Sequence, residues 1–299
     1  MCPYCRNPEA NTIRKGYYRS RTSHKELIRR YYCHDCSRSF SERCCTVGYR
    51  DRKPHLNQVL FRLVCSGMSQ RRIADVLGIH RTTVARKIVK LGRIAGQQHR
   101  QMIASSPKKL RTVVFDEMET FEHTKMKPVS IEVMVEESSR RILGLLAARM
   151  PAKGRLAARS RKKYGPRKDD RPAVMRRLFR RVRPLLIERP LIKSDESPRY
   201  PTVIKKELPG AVHRAYKGRR GCVVGQGELK AGGFDPLFSL NHTCAMVRDN
   251  LKTLTRRTWC TIKRPDRFQA LLNLNMVWHN CRLAGEKRPM IRWTAGAVV

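Results

Sequence analysis

Of the 299 residues in this chain, 65 are lysine or arginine and 24 are aspartate or glutamate, so the formal net charge is +41. Solubility needs far less charge, and self-repulsion opposes a compact fold. The excess therefore predicts a polyanionic partner, with DNA, RNA and an anionic membrane surface as candidates. The apolar stretches are too short to cross a bilayer and no secretory signal is visible. We expect the cysteines to bind metal in a reducing compartment rather than to form disulfides.

Two Cys-x-x-Cys pairs open the chain, Cys2 with Cys5 and Cys33 with Cys36. Each pair can grip one ion from a tight turn. Two such pairs complete the tetrahedral Cys₄ set of a structural zinc site, with no coordination position left open for chemistry. The basic and aromatic residues 13–32 between the pairs alternate like a β-hairpin. We predict a zinc ribbon over residues 1–50 whose basic surface contacts phosphate; the alternative is four incidental cysteines.

A helical pattern replaces the strand-like one in the next region, residues 51–105. Ser69 is suited to cap a helix, because its hydroxyl can accept a hydrogen bond from a backbone N–H of the first turn. The apolar face of that helix is predicted from Ile73, Val76 and Leu77, which recur at helical spacing.

Gly78 permits a turn into a second helix, predicted from about Arg81 to Lys90. Two helices joined in this way form a helix-turn-helix, whose second helix lies in the major groove of duplex DNA. The side chains expected to face the groove are Arg81, Thr82, Thr83, Arg86 and Lys87. The alternative is an ordinary helical hairpin with a solvated basic face. The polar residues 92–106 either continue the helix or form a linker, and we place a domain boundary near residues 105–107.

Residues 106–299 are predicted to form a third, α/β domain. The expected elements are strands at Leu110–Asp116, Val129–Val135 and Ile142–Arg149, a basic helical insertion, a strand at Leu191–Ser194, a helix at Thr202–Glu207, a strand at Ala211–His213 and a long helix at about His242–Thr258. Three consecutive strands, followed by strands that alternate with helices, describe a mixed sheet with helices on its faces. This is also the strand order of a ribonuclease-H-like fold, in which the first and fourth strands are neighbours.

Two of these strands deliver an aspartate to a strand end. Asp116 follows the apolar run 113–115, and Asp195 follows 191–194 just before a turn-rich segment. If the two strands are neighbours, both carboxylates emerge at one edge of the sheet and can share divalent cations that act on phosphodiesters. Each residue taken alone is also an ordinary loop carboxylate, since aspartate favours turns. Strand alternation turns Glu117 toward the opposite face.

A strongly basic insertion, residues 151–189, separates the third and fourth strands. After Pro172, apolar residues recur at helical spacing beside an arginine-rich face, which predicts a helix that clamps the DNA backbone. The arginines of that face are Arg176, Arg177, Arg180 and Arg181. Residues 153–171 are expected to be a solvated, partly disordered loop. Near the C-terminus, the apolar residues from Phe268 to Trp278 predict a helix that packs on the sheet.

Taken together, these motifs resemble the transposases of the insertion-sequence-one family. The resemblance rests on the cysteine ribbon, the helix-turn-helix, Phe115-Asp116-Glu117-x-x-x-Phe121, Ser194-Asp195-x-x-Pro198-x-Tyr200 and the run from Arg248 to Lys263. It covers nearly the whole chain and fails between Met150 and Leu191, where the basic segment is longer than expected.

The resemblance implies a DDE-type DNA transposase. Asp116 and Asp195 would hold two Mg²⁺ ions, while Zn²⁺ would be the structural metal of the ribbon. The protein would bind terminal inverted repeats in double-stranded DNA, nick the ends of its element and join the freed 3′ hydroxyl to target DNA. It would work as a homodimer or a larger assembly on DNA, away from membranes, in a prokaryotic cytoplasm and associated with the nucleoid.

The third acid of such a site is where this chain departs from the family pattern. The family's glutamate near the start of the long helix falls on Asn241, which can ligate a metal through its amide oxygen but brings no charge. Glu228 and Asp235 lie upstream, and either could supply the missing carboxylate from a loop. Asp235 is also suited to cap the turn that begins at Pro236.

Two alternative functions remain open. The main one is a catalytically inactive, transposase-derived protein that still binds DNA, and a more remote one is an RNA-processing nuclease on the same fold.

His213 and His242 could lie near the metals or contact the scissile phosphate. A lone histidine is more often a partly buried polar residue satisfied by the backbone, which is the preferred interpretation of His213, whereas the two interpretations of His242 are balanced.

Overall fold

The computed structural model describes residues 2–5, 7, 9–19, 27–217, 235–255 and 258–293. Within these ranges the chain forms a small antiparallel sheet, a group of helices, and a five-stranded mixed sheet with helices packed on it. The mixed α/β class predicted from the pattern of strands and helices is confirmed. No described helix combines the length and the apolar character that a bilayer crossing requires.

The N-terminal sheet is antiparallel, in the order β1-β2-β3. Its strands are β1 (Thr12–Arg19), β2 (Leu27–Cys33) and β3 (Arg38–Ser41). β1 and β2 pair as the predicted hairpin, with Ile13 opposite Tyr32. Its cluster of fully buried apolar side chains, among the described residues, is little more than Cys2, Cys33 and Phe40. A sheet with so small a core needs a further cross-link to be stable.

Three helices follow the small sheet. They are α1 (Asn57–Val64), α2 (Gln70–Val76) and α3 (Arg81–Ala104). Ser69 caps α2 as predicted, since its hydroxyl accepts the backbone N–H of Arg72 at 3.4 Å. Gly78 adopts a positive φ of 58° in the turn before α3, a backbone conformation that glycine adopts without strain.

The larger sheet has the order β6-β5-β4-β7-β8. Its strands are β4 (Leu110–Phe121), β5 (Pro128–Glu136), β6 (Ile142–Arg149), β7 (Leu186–Asp195) and β8 (Val212–Tyr216). β4, β5 and β6 pair antiparallel, whereas β7 runs parallel to β4 and β8 runs parallel to β7. The predicted adjacency of the first and fourth strands of this region, β4 and β7, is therefore confirmed.

Helices cover both faces of the larger sheet. Those of this region are α4 (Leu156–Tyr164), α5 (Arg171–Val182), α6 (Tyr200–Glu207), α7 (Phe238–Asn250) and α8 (Pro265–Leu283). α5 and α6 pack on one face, against Phe115 and Ile192. α1, α2, α3, α7 and α8 share a core with the other face, which includes Val114 and Ile131. Successive residues of β4 therefore contribute to different cores, as strand alternation requires.

α3 and α8 cross at close range because two glycines of α3 face α8. A Cβ on Gly92 would lie 2.5 Å from the Cβ of Ala270, and a Cβ on Gly96 would lie 2.7 Å from Nδ2 of Asn273. Asn273 Nδ2 donates to the carbonyl oxygen of Gly92 at 3.0 Å. α3 is therefore packed directly on α8, and one hydrophobic core joins α1, α2, α3 and α8.

The structure corrects the predicted extent of several elements. β4 continues to Phe121, because its pairing with β5 persists to Pro128, so Asp116 lies inside the strand rather than at its end. α3 continues to Ala104, so the polar residues 92–104 are helix rather than linker. Val76 is 63 % exposed and is not part of the apolar face of α2.

Two further predictions were wrong in detail. Residues 153–171 contain α4, whose buried Ser160 donates to the carbonyl oxygen of Met126 at 2.7 Å. This contact ties α4 to the turn between β4 and β5 and explains why a basic sequence is ordered there. α7 begins at Phe238 and ends at Asn250, earlier at both ends than the long helix expected from the sequence.

Candidate functional site

Asp116 and Asp195 lie on neighbouring parallel strands. The register of β4 and β7 pairs Val114 with Lys193, and each aspartate comes two residues further along its strand. Both side chains therefore leave the sheet at the same level and toward the same face. Because β7 ends at Asp195 while β4 continues, the edge of β4 is open beyond this point.

The carboxyl group of Asp116 is partly buried and only half satisfied. Its Oδ1 accepts a hydrogen bond from Oη of Tyr200 at 3.1 Å and from the backbone N–H of Glu117 at 2.6 Å. Its Oδ2 accepts none from the part of the chain that the structure describes. Burial, followed by the negative charge of Asp195, raises the pKa of Asp116 to about 6. A divalent cation between two such carboxylates would relieve both effects.

The turn between β7 and α6 positions the side chains of both aspartates. Oδ1 of Asp195 accepts the backbone N–H of Ser197 at 3.1 Å, which starts the turn into α6. Tyr200, the first residue of α6, packs its ring edge-on against Phe115 with 4.9 Å between ring centroids. Its hydroxyl is thereby directed at Asp116. Tyr200 belongs to the family motif that begins at Ser194, but its contact with Asp116 was not predicted from the sequence.

The described residues place no third acid beside this pair. Nδ2 of Asn241 donates to Oδ2 of Asp235 at 2.9 Å, and Oδ1 of Asp235 accepts the backbone N–H of Leu237 at 2.9 Å. Asp235 therefore holds the turn that precedes α7, and neither residue hydrogen-bonds to Asp116 or Asp195. Glu228, the other predicted carboxylate, lies outside the described residues.

Cys244 is the residue of α7 whose thiol lies in the electrostatic range of Asp116. Burial raises the pKa of Cys244 to about 12, against the opposing effect of Arg248, and the Asp116 carboxylate adds to the rise. Cys244, in the middle of α7, is therefore close enough to Asp116 to interact with its charge, whereas Asn241, nearer the start of the helix, is exposed.

Neither candidate histidine lies at the acidic pair. Nε2 of His213 hydrogen-bonds to Oγ of Ser194 at 2.8 Å, on the face of β7 opposite to Asp195. Burial lowers the pKa of His213. His242 is 3.3 Å from the guanidinium of Arg140 in the turn between β5 and β6. Both are partly buried histidines satisfied by local partners.

The opposite face of β4 carries a buried charge cluster that sequence analysis missed. Glu117 and Glu132 are directly paired across β4 and β5. Oε2 of Glu117 accepts Nη2 of Arg199 at 2.6 Å and lies 3.8 Å from Nη1 of Arg171, which also forms a bidentate pair with Asp169. Burial, followed by the charge of Glu117, raises the pKa of Glu132 well above its usual range. A glutamate inside the apolar strand 129–135 was the available signal.

The four predicted cysteines form one cluster. The sulfur atoms of Cys2, Cys5, Cys33 and Cys36 all lie within 4.8 Å of one another. Two of the Sγ–Sγ distances, Cys2 to Cys36 and Cys5 to Cys33, are 3.6 and 3.8 Å. A tetrahedron with metal–sulfur bonds of about 2.3 Å has edges of about 3.8 Å, so the cluster fits a Zn²⁺ ion.

The first turns of α3 expose most, but not all, of the predicted DNA-reading side chains. Arg81, Thr82 and Arg86 are exposed and Thr83 is half-buried. Lys87 is only 4 % exposed, and its Nζ donates to Oδ1 of Asp51 at 2.6 Å. The prediction that Lys87 faces the major groove is wrong, because its ammonium group neutralises a carboxylate at the start of the helical region.

The arginines of α5 are not equivalent. Arg180 forms a bidentate pair with Glu207 of α6, with Nε to Oε2 at 2.8 Å, so its guanidinium is committed within the protein. Arg177 is exposed, and Arg176 and Arg181 are half-buried. Burial lowers the pKa of Arg181. Of the four cations predicted to contact DNA, Arg177 and Arg180 are exposed, and Arg180 is paired with Glu207.

Comparison with known proteins adds little. No family model and no curated protein matches the chain. Solved structures that are similar include the Mos1 strand transfer complex, with 11 % identity over 77 % of each chain and a TM-score of 0.24. Another is the Mos1 mariner paired end complex with Mn, with 12 % identity over 74 % of this chain and 75 % of that one and a TM-score of 0.23. Similarity at this level carries no conclusion about the site.

Proposed function

We propose that this chain is a DNA transposase of an insertion sequence, which binds terminal inverted repeats and catalyses metal-dependent cleavage and strand transfer. The observation that carries the proposal is the pair Asp116 and Asp195 on adjacent parallel strands, with no cation of the protein to neutralise Asp116 among its hydrogen-bond partners. A net charge of +41 around an acidic pair suits an enzyme whose substrate is a polyanion.

The order of the larger sheet supports a ribonuclease-H-like catalytic region in this proposal. Three antiparallel strands followed by two parallel ones bring Asp116 and Asp195 together from positions far apart in the chain. The resemblance to the insertion-sequence-one family rests on the same two aspartates. The cysteine cluster would hold a structural Zn²⁺. The protein would bind duplex DNA as a homodimer or a larger assembly.

Each side chain at the pair has a part in the proposed reaction. Two Mg²⁺ ions bound there would supply an activated water or 3′ hydroxyl and stabilise the leaving oxygen. Tyr200 holds Oδ1 of Asp116, so the free Oδ2 is oriented for metal binding. The turn at Ser197 orients Asp195 in the same way. Glu228 is the proposed third acid, with Asn241 and Asp235 as the alternatives.

The test measures nicking of DNA that carries the end sequences of the enclosing segment, which is the genomic segment that contains the coding sequence of this protein. We expect Mg²⁺-dependent nicking by the wild-type protein, and a loss of at least about 10³-fold in Asp116→Asn and in Asp195→Asn, since each removes a metal ligand. Glu196→Gln removes an exposed carboxylate next to Asp195 and should leave nicking unchanged. Nicking that survives in Asp116→Asn would refute the assignment.

A second candidate function is DNA binding without catalysis. It is favoured by one observation: the described residues supply no third acid beside Asp116 and Asp195. Mg²⁺ should raise the melting temperature of the wild-type protein, and not of Asp116→Asn, if the pair binds metal. A wild-type protein that binds the end sequences, shows no Mg²⁺ stabilisation and does not nick would establish this alternative.

A further inference from the structure

A cationic cleft lies between α3 and the start of α8. Its volume is about 730 Å³. Its walls carry Arg81, Arg86 and Arg93 from α3, Lys263 and Arg264 from the segment just before α8, and Arg267 from the first turn of α8. Asp266 is the acidic residue of the lining, and its carboxylate pairs with Arg264 at 2.9 Å. The cleft therefore has a large excess of positive charge on two facing walls.

Most of this charge is not used inside the protein. Arg81, Arg86, Arg93 and Arg267 form no hydrogen bond or ion pair through their guanidinium groups with any residue that the structure describes, and all four are exposed. Lys90, on the same stretch of α3, differs because its Nζ donates to the carbonyl oxygen of Tyr49. Cations held close together without partners repel one another, and an anion in the cleft would offset that cost.

The cleft continues toward the acidic pair. Thr253 and Thr261 line both the cleft and a neighbouring recess of about 230 Å³. The recess is also lined by Thr120 of β4 and by Arg248 of α7. Thr120 lies on the strand that carries Asp116. Arg248 lies one turn beyond Cys244, whose pKa is raised in part by the charge of Asp116. A continuous surface thus connects the exposed face of α3 with the strand of the proposed catalytic centre.

We propose that one sugar-phosphate strand of the DNA bound by α3 lies in this cleft, with Lys263 and Arg267 contacting its phosphates. A helix in the major groove, which is about 12 Å wide, has a phosphate strand along each side. If α3 lies in the groove, the start of α8 lies beside one of these two phosphate strands, because the cleft separates it from α3. The sugar-phosphate backbone would then run along the cleft from α3 toward the strand that carries Asp116, within a single subunit. This inference rests on the proposed function, because it takes DNA to be the polyanion.

The experiment measures DNA affinity as a function of salt concentration, with a short duplex from either end of the enclosing segment as the probe. Each phosphate contact contributes about 0.9 to the slope of log K against log salt. The double variant Lys263→Ala/Arg267→Ala should therefore flatten the slope by roughly 1.8. The matched control is Lys205→Ala/Lys206→Ala, which removes the same charge from exposed positions of α6, a helix packed on the other face of the sheet. Its slope should equal that of the wild type.

Each outcome decides the matter. A flattened slope in the cleft variant alone supports the inference. Lys263→Arg, which keeps the positive charge, should have the same slope as the wild type. Equal slopes in the cleft variant and the wild type, equal losses in the cleft variant and the control, or equally tight binding of an RNA duplex would overturn it. If the double variant melts early, Arg267→Ala alone, at an exposed position, should flatten the slope by about 0.9. Nicking measured separately shows whether the proposed catalysis fails independently of the cleft.

Discussion

The two faces of β4 treat carboxylates in opposite ways. On one face Asp116 and Asp195 lie together, and the hydrogen bonds that Asp116 receives come from a hydroxyl and a backbone N–H, both uncharged. On the other face Glu117 lies against Glu132 but also receives the guanidinium groups of Arg199 and Arg171. The residues that decide this difference are adjacent in sequence.

The difference separates a binding site from a structural cluster. Arginines neutralise Glu117, and burial favours the protonated form of Glu132, so neither carboxyl needs a ligand and both belong to the framework. Asp116 differs because it has a raised pKa, a free oxygen, a neighbouring carboxylate and no arginine partner, so its ionised form lacks a compensating positive charge. The protein thus bears a stability cost at Asp116 above pH 6, which a divalent cation would offset.

The largest effect on stability is expected where the neutralised cluster is broken. Arg171→Met removes a 6 %-exposed guanidinium and leaves Glu117 and Asp169 short of a counter-charge. Breaking a buried ion pair from one side typically costs about 3–5 kcal/mol of unfolding free energy. Denaturant unfolding should show this loss, whereas Arg177→Met, an exposed position on the same helix, should change little. Equal effects of the two substitutions would mean that the cluster carries no special stability.

A smaller effect of opposite sign is expected at the acidic pair. Asp116 has its pKa raised to about 6, so between its ordinary value and 6 the folded state keeps a proton that the unfolded state releases. Stability from this group therefore falls as pH rises through that window and is lowest above it. Asp116→Asn should raise the unfolding free energy by about 1–3 kcal/mol at pH 7.5 without Mg²⁺, and by little at pH 4.

The measurement is denaturant unfolding at several pH values in Mg²⁺-free buffer without a chelator, because a chelator would also remove metal from the cysteine cluster. Glu196→Gln, next to Asp195, serves as the control and should show no such pH dependence. If Asp116→Asn lowers stability at every pH, the carboxyl of Asp116 is a structural group, and the contrast between the two faces disappears.

The smallest effect is expected at Glu132. Burial already raises its pKa well above the usual range, and Oγ of Ser130 donates to its Oε1 at 3.3 Å. Glu132→Gln replaces a carboxyl whose neutral form is favoured by burial with a neutral amide of similar shape, so the unfolding free energy at pH 6 should change by less than about 1 kcal/mol. A loss as large as that of Arg171→Met would show that Glu132 is ionised and paired.

Local sequence patterns predicted much of the architecture. The paired cysteines, the cap at Ser69 and the turn at Gly78 each depend on neighbours within a few residues, and each lies as expected. The third strand of the sheet region, Ile142–Arg149, was predicted with its observed bounds. The prediction that Asp116 and Asp195 lie on adjacent strands was also correct, because the succession of strands and helices along the chain matched a fold in which the first and fourth strands are neighbours.

Contacts between distant residues could not be predicted in the same way. Lys87 has the helical spacing of a groove-facing residue, and only the approach of Asp51 buries it. Arg180 has the spacing of a DNA contact, and only the packing of α6 pairs it with Glu207. In each case a long side chain can reach several partners, and the fold selects one.

For this protein, the sequence by itself determined the excess of positive charge, the paired spacing of the cysteines and most of the helices and strands, because charge and short-range periodicity are properties of the chain. The tertiary structure decided which charges are available. It placed Tyr200 on Asp116, Arg199 on Glu117 and Asp51 on Lys87. Neutralisation is a matter of distance between side chains, and those distances exist only once the sheet and its helices have packed.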